Sequence, residues 1–256
     1  MPIRVITSSN GFLQLKTSFS RNWQHYLQEG LGLGIFMVSA CLFSALLEAK
    51  HSPLHQYISN GTVRTMIIAL LMGATAVFIF YSSWTSPSGA QINPAVTLVF
   101  LRLGKMCQWD ALFYIIFQFL GGTLAVYLMQ LLLGHILIDL PVNSAVTVPG
   151  KAGTMPALIT EFLIAFTTMI MVLFTSAHHY LKKYTSLFAG LLVCIWVIVA
   201  GPVSGFGMNP ARTFASALPS NIWTAYWLYL LAPTAGMLLA AELFLFIQQN
   251  QKHEKK

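Results

Sequence analysis

The sequence predicts an all-α integral membrane protein: six transmembrane helices plus two half-helices that meet at the membrane midplane, arranged as an inverted 3+3 repeat. Three observations lead there. The composition is too apolar for a water-facing surface, six hydrophobic stretches have spanning length, and a short segment led by Asn-Pro-Ala occurs twice.

With 56% hydrophobic and 8% charged residues and a mean hydropathy of +0.69 over 256 residues, the chain suits lipid rather than water. The formal net charge of +7 would suggest nucleic acid in a soluble domain. In this composition the basic residues read as topology signals, and no nucleic-acid partner is expected. Cys41, Cys107 and Cys194 are odd in number, lack metal-ligand spacing, and read as small packing residues. No catalytic constellation, metal site or cofactor is expected, so the chain does not read as an enzyme.

The apolar stretches run approximately over 30–49, 65–84, 110–134, 157–177, 184–201 and 222–248. Each approaches the roughly 20 residues that cross about 30 Å of hydrocarbon. Backbone N–H and C=O groups cannot go unpaired in lipid, so the spans must be helices. Two further apolar segments, 92–103 and 207–218, are about half a span long and cannot cross.

Lysine and arginine set the orientation. With the N-terminus inside, the inner segments carry Arg4, Lys16, Arg21, Arg102, Lys105, Lys182, Lys183, Lys252, Lys255 and Lys256, against Lys50, Arg64 and Lys151 outside. Both termini are expected on the cytoplasmic face of a plasma or inner membrane. Residues before 29 lack the basic-then-apolar pattern of a cleaved signal. Arg212 stands apart, within a half-length apolar segment.

The half-length segments read Ser88-Gly89-Ala90-Gln91-Ile92-Asn93-Pro94-Ala95 and Ser204-Gly205-Phe206-Gly207-Met208-Asn209-Pro210-Ala211-Arg212. Asparagine is a preferred N-cap, proline tolerates the first helical position, and alanine propagates the helix. Each Asn-Pro-Ala is therefore a helix start. Glu29 opens the first span and Glu161 lies early in the fourth, so each half holds three spans, a carboxylate and a half-helix. Three crossings invert the second half. The half-helices then enter from opposite faces and bring their positive dipole ends together.

Paired Asn-Pro-Ala motifs, the second extended to Asn-Pro-Ala-Arg, on such a repeat resemble the aquaporin and glycerol-facilitator (major intrinsic protein) family, in its prokaryotic type. Gln118, Gly121 and Gly122 in the third span and Pro233 in the sixth match as well. The resemblance covers 29 to about 245. It implies an aquaporin fold and a channel domain over 29–248, with halves 29–134 and 157–248 joined by the loop 135–156. A cytoplasmic tail (1–28) precedes it and a basic tail (249–256) follows. It also implies a homotetramer in the lipid bilayer. Gln91 departs from the pattern, which often has histidine there.

The resemblance implies passive conduction of water and small neutral solutes. Asn93 and Asn209 would each donate an N–H to a passing water oxygen, breaking the donor chain along which protons hop, while the helix ends repel cations. Glu29 and Glu161 would be structural, accepting from the pore-loop backbone. Glu48 and Glu242, near span ends, read as snorkelling carboxylates. Arg212 matches the family's filter arginine, Phe206 and Val197 follow by offset from Asn209, and Met72 is chosen for the fourth wall with Gly73 as the alternative. Val197 stands where water-restricted members typically have histidine, so glycerol, ammonia or urea remain open beside water. An ion-coupled secondary transporter and a purely structural membrane protein are the rival classes. His51, His55, His178 and His179 read as ordinary loop residues.

Overall fold

The computed structural model describes residues 11–254. Arg4, Lys255 and Lys256, and the side chains of Lys252 and His253, lie outside the described residues. The principal helices are α1 (Gly11–Glu48), α2 (Gly61–Tyr81), α3 (Pro94–Arg102), α4 (Gln108–Leu133), α5 (Thr154–Ala177), α6 (Thr185–Val199), α7 (Pro210–Ser220) and α8 (Tyr226–Glu254). Six are long and apolar enough to cross a membrane, α6 together with the turn before it; α3 and α7 are the half-length pair.

Helix α1 begins well before the apolar stretch that starts near residue 30. Its early turns are pinned to the start of α4 by a buried carboxylate. Asp110 accepts from the Tyr26 hydroxyl at 2.5 Å, from Asn22 Nδ2 at 3.0 Å and from Cys107 Sγ at 3.1 Å. Buried polar groups persist when paired in this way. Cys107 therefore does more than pack: it N-caps α4, its sulfur accepting from the Asp110 N–H.

The helices pair as an inverted repeat requires. Helix α1 packs on α4, α5 packs on α8, and α2 crosses α6 as a pair that maps onto itself. Each half-helix rests against the third span of the opposite half, α3 on α8 and α7 on α4. Ala95 and Val99 of α3 are buried among Ala165 and Met169 of α5 and Met237 and Ala240 of α8. Ala211 and Ala215 of α7 are buried among Leu33 and Met37 of α1 and Val126 of α4. The two halves thus share their cores and neither is complete alone.

Glycine sets the interhelix distance. A Cβ on Gly121 would lie 2.1 Å from the Gly30 carbonyl oxygen, and one on Gly236 would lie 2.4 Å from that of Phe162. These are the equivalent α1–α4 and α5–α8 crossings. Gly73 and Gly190 repeat the arrangement between α2 and α6, each facing the other's carbonyl at 2.9 Å. Close packing rather than hydrophobic drive holds helices together in lipid, and these residues permit it.

The two carboxylates near span ends are paired rather than simply extended toward water. Glu48 takes a two-pronged contact from Arg64, at 3.2 Å to Nε and 3.1 Å to Nη2. Glu242 takes one from Arg102 at the end of α3, at 2.6 and 2.9 Å.

Candidate pore at the meeting of the half-helices

Each half-helix starts from an extended asparagine whose side chain caps it. Asn93 Oδ1 accepts from the Ala95 N–H at 2.9 Å; Asn209 Oδ1 accepts from Ala211 and Arg212 N–H at 3.0 and 3.2 Å. Pro94 and Pro210 occupy the first helical position, where no N–H is needed. The amides then cross over. Asn93 Nδ2 donates to the Met208 carbonyl at 3.0 Å, and Asn209 Nδ2 donates to the Ile92 carbonyl at 2.7 Å. Each asparagine binds the residue immediately before the other, so the two helix starts are fastened N-terminus to N-terminus. A carboxamide nitrogen carries two protons, so each retains a second donor.

The backbone before each cap follows the same unusual path twice. Gly89, Ala90 and Ile92 have φ of 94°, 45° and 43°; Gly205, Phe206 and Met208 have 75°, 54° and 49°. Non-glycine residues occupy that region at a cost and stay there only when their surroundings hold them. The buried carboxylates do so. Glu29 accepts from Ser88 Oγ at 2.6 Å and from the Gln91 and Ile92 N–H at 2.9 and 2.5 Å. Glu161 accepts from Ser204 Oγ at 2.6 Å and from the Gly207 and Met208 N–H at 2.8 and 2.5 Å. Gln118 Nε2 adds a fourth donor to Glu29 at 2.9 Å; in the second half its place is taken by Pro233, which has no such donor.

Two residues of this scaffold escape a reading by motif. The hydroxyls of Tyr114 and Tyr229 donate to the carbonyls of Ser88 and Ser204 at 2.8 and 2.6 Å, tying both turns to the third span of each half. The signal for them is a repeat offset: Tyr114 precedes Gln118 and Gly121 as Tyr229 precedes Pro233 and Gly236.

A cavity of about 190 Å³ runs along this junction. Asn93, Asn209, Arg212 and Phe206 line it, with Phe36, Phe80, Ala76 and Val193 among its apolar walls. Arg212 Nη1 is buried without a hydrogen-bond partner. Met72 and Val197 pack in the apolar cluster that contains Phe206, Ala76 and Val193; the last two, one helical turn away on the same helices, line the cavity with Phe206. Gly73 faces α6, where a Cβ would meet Cys194 Cβ at 2.9 Å, which makes it a packing residue.

Six spans, two opposed half-helices and a capped asparagine pair on one cavity define the class: a multi-pass membrane protein of the aquaporin fold. The profile of the family described as "Major intrinsic protein" matches residues 16–244, and the chain belongs to that family. Among relatives, Aquaporin NIP1-2 of Arabidopsis thaliana is 31% identical over 196 residues, covering 72% of this chain and 64% of that protein. Probable aquaporin TIP4-1 of Oryza sativa subsp. japonica is 31% identical over 173 residues, covering 67% of each chain. The match thus spans a little under two thirds of the length of the first of these. Among solved structures, the aquaglyceroporin from Plasmodium falciparum superposes with a TM-score of 0.71 at 20% identity, over 86% of this chain and 94% of that one, a likeness of fold.

Proposed function

We propose that the protein is a passive channel for water and small uncharged solutes that excludes protons and ions. One observation carries the reading: the amides of Asn93 and Asn209, each cross-bonded to the opposite loop, share a single cavity at the N-termini of two half-helices. The remaining N–H of each amide donates to a solute oxygen. A water held by two donors becomes an acceptor at that point and cannot relay a proton. The opposed helix ends carry partial positive charge and repel cations, and the Arg212 guanidinium adds a full charge on the same wall. Backbone carbonyls along 88–92 and 204–208 replace hydration on the way through.

Arg212 and Phe206 form the selecting wall, with Met72 and Val197 behind it setting how far Phe206 and its neighbours can give way. The aromatic and aliphatic residues beside Arg212 favour a second reading, a glycerol-facilitator-like channel for glycerol, ammonia or urea. We place the protein in a plasma or inner membrane with both termini cytoplasmic, as a homotetramer.

The test is stopped-flow light scattering of proteoliposomes. Water flux above empty liposomes, unchanged by an imposed proton or sodium gradient, is expected. Flux that follows the gradient would identify a coupled transporter, and none at all would leave a structural membrane protein.

A further inference from the structure

An open groove of about 680 Å³ runs between α1 and α4 and is separate from the pore, with which it shares no lining residue. Gly30, Gly34 and Gly121 lie along it where the two helices touch. Its ridges are leucines: Leu27, Leu31, Leu120 and Leu124 are 47–65% exposed. From Leu27 to Ser39 the groove follows α1 for about 18 Å at 1.5 Å per residue, close to the depth of one leaflet of hydrocarbon. The inverted repeat does not account for the turns that lead to it. Helix α5 starts at Thr154, seven residues before Glu161, whereas α1 starts at Gly11, eighteen before the equivalent Glu29. The added turns carry Arg21, seven residues before Gln28 and fourteen before Ile35, both on the groove wall. Seven residues make nearly two turns, so the three share one face of α1. Trp23, 44% exposed and two residues from Arg21, is the kind of side chain that sits at the membrane interface. Arg21 itself is exposed and makes no ion pair among the described residues. A second copy of the chain has no described carboxylate to answer that charge. Glu29, Asp110 and Glu161 are buried, Glu48 and Glu242 are held by Arg64 and Arg102, and Asp139 lies beyond the far end of α4.

We propose that this groove is a binding site for an anionic phospholipid. One acyl chain lies in it along α1, in the leaflet at the N-terminal end of that helix, and Arg21 holds the headgroup phosphate. Leucine ridges over a glycine floor touch a chain on several sides, where a flat helix face touches it on one, and in hydrocarbon such van der Waals contact is what favours one partner over another. The guanidinium presents paired N–H donors that match phosphate oxygens. A zwitterionic lipid fills the groove equally well but carries a cation beside its phosphate, so Arg21 gains less from it. The bound chain also braces the pore from outside. Gly30 adjoins Glu29, and Gly121 shares α4 with Gln118, the two side chains that hold the first pore loop. A chain packed against both helices tightens the crossing on which that loop rests.

Native mass spectrometry of the full chain in detergent, titrated with phosphatidylglycerol or phosphatidylcholine of the same acyl chains, tests the site. The native chain is expected to bind one phosphatidylglycerol more tightly than phosphatidylcholine. Arg21→Gln should weaken phosphatidylglycerol roughly fivefold, the worth of one basic residue at an anionic surface, and leave phosphatidylcholine unchanged. Leu31→Trp, at an exposed ridge position, lays an indole across the groove and should weaken both lipids. Lys182→Gln removes a charge from the same end of the bundle and should change neither. Equal losses in Arg21→Gln and Lys182→Gln overturn the proposal, because they describe a general attraction to the positive face. Equal affinity of the native chain for the two lipids overturns it as well. If Leu31→Trp leaves both lipids bound and instead lowers the mass of the assembly, the groove is an interface between copies and the proposal fails. Phosphatidylglycerol with a photoreactive acyl chain should label 27–39 and 117–128, and labelling confined to other segments counts against it in the same way. Lipid affinity is read without flux, so failure here leaves the channel reading standing.

Discussion

Asn209 holds three hydrogen bonds at once, two as the cap of α7 and one to the Ile92 carbonyl of the opposite loop. Asn209→Ala removes the cap, worth about 1 kcal/mol, and strands a buried carbonyl at about 1–3 kcal/mol. We expect a lower Tm in detergent and loss of most water flux. Asn209→Asp keeps the accepting oxygen and loses the donor, placing a carboxylate against the Ile92 carbonyl. Water flux should vanish, and normal flux in a folded Asn209→Asp channel would refute the donor role. At Tyr229 the effect should be smaller. Tyr229→Phe frees the Ser204 carbonyl at a cost of about 1 kcal/mol, visible as a drop in Tm with flux reduced rather than lost. Val197→His addresses the selecting wall: an imidazole behind Phe206 should cut glycerol permeability more than water permeability. Unchanged glycerol flux would remove Val197 from that role.

At the scale of elements, the α1–α4 crossing depends on two glycines whose neighbours leave no room for a side chain. Gly121→Leu places a Cβ 2.1 Å from the Gly30 carbonyl oxygen, so the helices must separate. Overpacking of this kind costs about 1–3 kcal/mol or more. Because Glu29 and Gln118 sit on these two helices, the first pore loop should loosen with them. Gly121→Leu is expected to lower both Tm and water flux, and a variant that conducts normally would show that the crossing does not position the loop. The Arg102–Glu242 pair makes a useful contrast. Both side chains are about half exposed, and such pairs contribute about 0–1 kcal/mol. Arg102→Gln should leave Tm within a degree or two.

For the whole molecule, interleaved halves explain why the site needs both copies of the repeat. Each half-helix is buried among the helices of the other half, and each asparagine is bonded to the other's loop. Neither half expressed alone should form a conducting channel, although the two expressed together as separate chains could assemble one. Measurable water flux from residues 1–134 alone would contradict that expectation.

Much of this organisation was legible beforehand, and particular residues show why. Asn-Pro-Ala states its local structure in its own chemistry, because capping and the missing proline N–H act within one turn. Its duplication, with a carboxylate in each half and three spans between, determined the inversion, since an odd number of crossings reverses direction. Lipid as solvent determined the spans, because unpaired backbone cannot exist there. Only the tertiary structure decided what depends on distance across the chain. It showed that Asn93 and Asn209 grip each other's loops, that Tyr114 and Tyr229 tie down the turns, and that Gly73 faces a helix. It also showed that Ala76 and Val193, one helical turn from Met72 and Val197, line the cavity. A shift of one helical turn leaves the apolar pattern of a buried helix unchanged, so the sequence alone could not choose between them.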